Sequence, residues 1–135
     1  MTRYLLDTNT VSHLIKSHPS VAKRVTHVPM ASLCISAITE GQLFFGLAKR
    51  PDAARLHTAV REFLRRVDVL PWASADRYGV AWADLESRGK TLAPLDLLIA
   101  AHALGVGAVL VTNDHAFAFV PGLEIEDWTV EPVAS

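Results

Sequence analysis

The sequence predicts an α/β domain built on a mostly parallel sheet of five strands flanked by helices. Two observations carry this prediction. Five short apolar or β-branched runs, each closed by polar or turn residues, recur along the chain, and helical patterns lie between them. The strand runs are residues 4–6, 33–35, 68–70, 109–111 and 124–126. A first helix is expected from about Thr8. A second follows Ser36, placed as an N-cap. Leu56, Val60, Phe63, Leu64 and Val67 recur at helical spacing after Pro51, and Ala75, Tyr78, Ala81, Trp82 and Leu85 do so after Ser74, also placed as an N-cap. Pro94 opens a last helix, and Gly105 and Gly107 are expected to end it. Residues 1–130 read as one domain and 131–135 as a short frayed tail.

Composition narrows the function classes. A net charge of −1 gives no global basic field, so any nucleic-acid contact must be local. The hydrophobic content of 50% exceeds what one small core consumes and predicts a buried partner interface. Cys34 is the single cysteine, which excludes an internal disulfide and a thiolate zinc site and fits a reducing cytoplasm. No run approaches the ~18 apolar residues of a membrane span, and Arg3 and Asp7 interrupt any signal-type apolar region. A cytoplasmic, membrane-free protein is expected.

Familiar motifs fail. Gly41 and Gly46 have P-loop spacing, but Leu47 and Ala48 replace the Lys and Ser or Thr. Gly105 and Gly107 lack a third glycine and precede a strand instead of following one. The six histidines form no HExxH pair, and no GxSxG is present. His102 reads as a packed or interface residue.

The stretch "LDLLIAAHAL", residues 95–104, poses the functional question. Eight of its ten residues are apolar and Asp96 is its only full charge, so the helix has no wet face to hold that charge. In parallel sheets the functional crevice lies beyond the carboxyl ends of the strands. Asp7 follows "YLL", Glu40 starts the helix after "LCIS", and Asp114 follows "VLVTN". Each could serve local structure: Asp7 as a helix cap, Asp114 in an Asx-turn, Asp96 against the helix dipole. Glu40 falls one residue too late for a capping box with Ser36. Gathered together, two such charges about 4 Å apart repel by roughly 4 kcal/mol at an effective dielectric near 20. A divalent cation removes that repulsion, and hard oxygen donors without convergent His or Cys indicate Mg²⁺ or Mn²⁺, with one or two acids binding directly. Such a site suits hydrolysis at phosphorus.

The segments "LLDTNTVSHLI", "CISAITEGQLFFGL", "LDLLIAAHAL" and "VLVTNDHAFAFVPGLEIEDW" resemble, in order, the motifs of the PIN-domain ribonucleases, specifically toxins of the VapC type. The resemblance spans about residue 3 to Trp128. It implies a PIN fold, a Mg²⁺- or Mn²⁺-dependent endoribonuclease, a homodimer and a cognate VapB-type antitoxin. Its RNA substrate would be a structured RNA such as a tRNA. The acidic positions of the family fall on Asp7, Glu40, Asp96 and Asp114, with Asp7 and Asp96 as metal ligands and Thr8, Asn9 and Thr112 as supporting polar residues. Relatives often carry Asn where this chain has Asp114, and Gly where it has Ala93. Arg50, Arg55 and Arg65 are the candidate RNA-binding cations, set in a basic stretch that a solvated helix face also explains. Two rivals remain at this stage: a PIN-like binding module without catalysis, and a haloacid-dehalogenase-like phosphatase. For the latter, Asn9 stands where the second Asp of "DxDxT" belongs.

Overall fold

The computed structural model describes residues 1–131, so most of the expected tail, residues 132–135, lies outside the described residues. The chain runs β1 (Tyr4–Leu6), α1 (Thr8–Ile15), α2 (Pro19–Val25), β2 (Leu33–Ser36), α3 (Ala37–Lys49) and α4 (Ala54–Arg66). It continues through β3 (Asp68–Leu70), α5 (Ala75–Ser87), α6 (Pro94–Val106), β4 (Val109–Val111) and β5 (Ile125–Glu126). Short 3-10 turns cover Met30–Ser32 and His115–Phe119. No described helix is long and apolar enough to cross a membrane.

All four strand pairings are parallel, in the order β3-β2-β1-β4-β5. The chain therefore steps outward from β1 to β3 on one side, then crosses back through α5 and α6 to add β4 and β5 on the other. This reversal puts a topological switch point between β1 and β4, at their carboxyl ends. Each sheet face buries its own cluster. On one face α5 and α6 bring Ala81, Leu85, Leu97, Ala100 and Ala103 onto Leu5, Cys34 and Leu110. On the other, Val11, Val21, Leu43, Leu47, Val60 and Trp128 cover Leu6, Leu33, Ile35 and Val111. Strands buried on both faces read as continuous apolar runs, and β2 and β4 are buried at every position.

Several local expectations are revised. The seven-residue α2, which escaped notice in the sequence, is opened by Pro19 and capped by the His18 ring, which accepts from the Val21 N–H at 3.4 Å. Pro51 lies in a turn, and α4 begins at Ala54. Ser74 precedes α5, but its side chain makes no cap hydrogen bond. Gly107 does end α6, in the left-handed region at φ 67°. Gly105 lies inside that helix, where an added Cβ would overlap the Ser74 hydroxyl, so close packing is what requires glycine there. His102 is packed and only 1% exposed, with Nδ1 2.7 Å from Ser36 Oγ.

Gly105→Ala is expected to destabilise by about 1–2 kcal/mol, because overpacking outweighs the gain in helix propensity. Urea unfolding of Gly105→Ala with and without Ser74→Ala checks this. The double variant should recover part of the loss, since the two sites share one contact.

Candidate active site

Asp7 leaves β1 at the switch point, and hydrogen bonds hold it from both sides. Its backbone N–H donates to the Val111 carbonyl at 3.0 Å, extending the β1–β4 pairing by one residue. Its carboxylate caps α1, accepting the Thr10 N–H at 2.8 Å. The Thr10 hydroxyl in turn donates to the Val111 carbonyl at 2.9 Å. Asp7 is 4% exposed. Burial pushes its carboxyl above the ordinary carboxylate value; hydrogen bonds from Thr112 and from the Thr10 backbone oppose the shift, and the charge of Asp114 adds to it.

Asp114 leaves β4 beside it. Its carboxylate accepts the Ala116 N–H at 2.9 Å, and its own N–H donates to Thr112 Oγ1 at 3.0 Å. The buried Thr112 hydroxyl thus holds the Asp114 backbone and stands near enough to Asp7 to favour its ionised carboxylate. Asp96 arrives from the other side of the crossover. Because α6 descends into β4, its first turn lies at the carboxyl edge of the sheet. Partial burial raises the Asp96 carboxyl first, followed by the charges of Asp114 and Asp7.

The structure therefore brings Asp7, Asp96 and Asp114 within electrostatic reach of one another. Among the described residues, none of the three makes an ion pair. Nor do any three His, Cys, Asp or Glu side chains converge closely enough there to hold one ion together. Glu40 stands on the first turn of α3, at the same edge of the sheet but beyond β1's neighbour, and it is not among the charges acting on Asp7 or Asp96. Thr8 faces α3 instead of the acids: its hydroxyl donates to Gln42 Oε1 and lies 3.4 Å from Thr39 Oγ1. Asn9 is exposed and makes no side-chain hydrogen bond among the described residues. Thr10 was not singled out in the sequence, although its place three residues after a helix-capping Asp is the position whose N–H a cap binds.

The candidate cations are dispersed. Arg65 and Arg66 both pair with Glu62, at 2.9 and 3.1 Å. They end α4 just before β3 begins, at the amino-end edge of the sheet and away from the acids. Arg50 and Arg55 are exposed around the α3–α4 turn and make no ion pair among the described residues.

The family model described as the PIN domain matches residues 4–123. This chain belongs to the PIN-domain family. It is 33% identical over 132 residues to a protein of Shigella flexneri named tRNA(fMet)-specific endonuclease VapC, a match that covers 96% of this chain and 100% of that one. It is 35% identical over 131 residues to the Salmonella typhimurium protein of the same name, covering 95% and 99%. The solved structure of DNA-bound VapBC from Salmonella typhimurium superposes with a TM-score of 0.87 at 36% identity, over 95% of this chain and 99% of that one. PIN-family membership replaces the haloacid-dehalogenase reading of "LLDTNTV".

The raised carboxyls of Asp7 and Asp96 predict an inverted pH dependence for the metal-free PIN domain. Folded chains hold these protons at a pH where unfolded chains have lost them, so stability falls as pH rises from the ordinary carboxylate value through the raised folded values. Urea unfolding in EDTA should show that decline, and Asp7→Asn should flatten it. A contribution from this site that grows with pH over the same window would contradict the assignment.

Proposed function

We propose that this PIN domain is a Mg²⁺- or Mn²⁺-dependent endoribonuclease, the toxin of a VapBC-type toxin–antitoxin module. One observation carries the reading: three carboxylates, one of them buried, act on each other at a sheet switch point, and among the described residues no cation pairs with them. Buried charges are ordinarily paired or bound to metal. The donor set suits a divalent ion that keeps several waters, because Mg²⁺ uses one or two carboxylates directly and needs no closed protein cage. Asp7 and Asp96 are the proposed direct ligands, with Asp114 and Glu40 holding ligand waters or substrate and Thr112 supporting both strand exits. Thr8 and Asn9 have weaker claims, since Thr8 is engaged with Gln42 and Asn9 with nothing.

When bound, the ion lowers the pKa of a water and screens charge developing on the phosphate. The protein's part is placement. Thr10 and Thr112 fix the Asp7 carboxylate so that it is not rearranged when substrate arrives. Asp114 is held by its own turn, and Asp96 presents a half-exposed carboxylate from the rigid start of α6. The buried environment of Asp7 strengthens every electrostatic interaction made there.

The names of the relatives support RNA as substrate, and tRNA(fMet) is the first candidate. With no broad basic field, a single-stranded loop is favoured over duplex, since loops present unstacked bases to a local site. Arg50 and Arg55 remain candidate phosphate contacts; Arg65 is a weaker one because Glu62 neutralises it. A VapB-type antitoxin as partner is supported by the VapBC structural neighbours. Homodimerisation fits the apolar surface left open, including Phe45 at 64% and Val80 at 72% exposure.

Asp96→Asn provides the test. It removes one repelling charge at a partly exposed position, so the metal-free variant should gain on the order of 1 kcal/mol of stability or slightly less. RNA cleavage should fall by more than about 100-fold, beyond the loss usual for residues that only support a ligand. The thermal stabilisation that Mn²⁺ confers on the wild type should also shrink. A folded variant that still cuts RNA at the wild-type rate would refute the assignment. A wild type whose melting is indifferent to Mn²⁺ would favour the inert binding module.

A further inference from the structure

Beside the acid cluster lies a groove of about 270 Å³, formed by the carboxyl-terminal half of α5, the loop 88–93 and the first turn of α6. Trp82, 52% exposed, is its aromatic wall, and Leu85, Leu92 and Leu97 are its floor. Glu86 and Lys90 stand on its rim, and among the described residues neither makes an ion pair. Arg88, the other cation of the loop, is committed: it pairs with Asp84 at 2.6 Å and donates to the Phe119 carbonyl.

The groove adjoins the acids through one chain bond and one set of non-covalent contacts. Leu97 of the floor follows Asp96 in the chain. The loop is clamped to Phe119 by Arg88 and by Lys90, whose Nζ lies 4.7 Å from the ring centroid. Phe119 ends the short turn that Asp114 caps. Of the segments lining the groove, α6 therefore carries Asp96 on its first turn, and the loop is fastened to the turn that Asp114 caps.

We propose that this groove holds one unpaired nucleobase of the RNA strand, stacked on Trp82, with an exocyclic amino group donating to Glu86 and the adjoining phosphate beside Lys90. The proposal rests on the ribonuclease reading above. An exposed indole over an apolar floor suits base stacking, which tolerates any base. The carboxylate narrows the choice. An ionised Glu accepts only, so it pairs with the amino group of cytosine or adenine and repels the carbonyl that uracil presents at the same place. A carboxylate on a surface facing RNA would oppose binding if phosphate lay against it; with a base edge there it becomes a selector. The Lys90 ammonium, exposed over the Phe119 ring and without an ion pair among the described residues, fits the next phosphate, which positions the strand without reading its sequence.

The test is a titration of cytidine and uridine hexanucleotides, in buffer containing Ca²⁺ in place of Mg²⁺, followed by tryptophan fluorescence. The cytidine hexamer should quench and bind more tightly than the uridine one. Trp82→Leu should weaken both about 5- to 100-fold, while Trp82→Phe retains most of the affinity. Glu86→Gln should erase the preference for cytidine, and Lys90→Gln should weaken both hexamers alike. Failure of either hexamer to bind wild type, unchanged affinity in Trp82→Leu, or a preference untouched by Glu86→Gln would overturn the proposal. So would a change in oligomeric state with unchanged affinity in Trp82→Leu, which would assign the groove to a second copy of the chain. Cleavage of RNA in Mn²⁺ is measured in parallel. Wild type that cuts RNA while Trp82→Leu binds normally refutes the subsite alone. Wild type that binds through Trp82 and cuts nothing refutes the ribonuclease reading alone.

Discussion

A carboxylate buried without a cation is the constraint around which this fold is arranged. Asp7 is almost fully covered at the end of the central strand, and what surrounds it is hydrogen-bond donors and further acids. Left ionised in water-poor surroundings, such a group costs more than two hydrogen bonds return. Under the proposed function, positive charge completes the site and offsets that cost. On that proposal the metal-free domain stores electrostatic strain that a cation would relieve, with stability given up locally for a preorganised site.

The topology determines where that strain collects. Reversal of strand order between β1 and β4 sets two strand exits side by side, and the descent of α6 into β4 brings a helix start to the same edge. Three acids far apart in sequence thereby come within electrostatic reach of one another. The rest of the structure keeps them from moving apart: Thr112 holds the Asp114 backbone near Asp7, the Thr10 hydroxyl and the Asp7 N–H both bind the Val111 carbonyl, and buried clusters cover both faces of the sheet. The loop leading into α6 is fastened to the turn after Asp114 as well.

Much of this was legible in the sequence, for physical reasons that differ between residues. Asp7 and Asp114 could be found because one directly follows an apolar run and the other stands three residues beyond one, and a parallel sheet sends all such exits to one edge. Asp96 stood out because its helix is apolar on every side. The local explanations for these two acids also hold, since Asp7 does cap α1 and Asp114 does form its turn. Glu40 shows where pattern stops. Its place on the correct edge was readable, but whether a side chain points across a neighbouring strand depends on rotamer and packing. Thr8 and Asn9 diverge for the same reason, as consecutive helical residues point about 100° apart. The seven-residue α2 is too short to show a period. Gly105 reads as a helix end in the sequence because local signals cannot report the approach of Ser74 from another segment. The pairing of Arg65 with Glu62, by contrast, follows a three-residue spacing that was available from the start.

The central claim is that the raised acids of the switch point bind a divalent cation in their ionised form. Calorimetric titration with Mn²⁺ in buffers of different ionisation enthalpy measures this directly, because it counts protons released on binding. At about pH 5, near the top of the ordinary carboxylate range, wild type should bind Mn²⁺ and release protons. The release should disappear as pH rises above the raised carboxyls, and Asp7→Asn should reduce both binding and release. Mn²⁺ binding with no proton release at the lower pH, or no binding at any pH, would contradict the account.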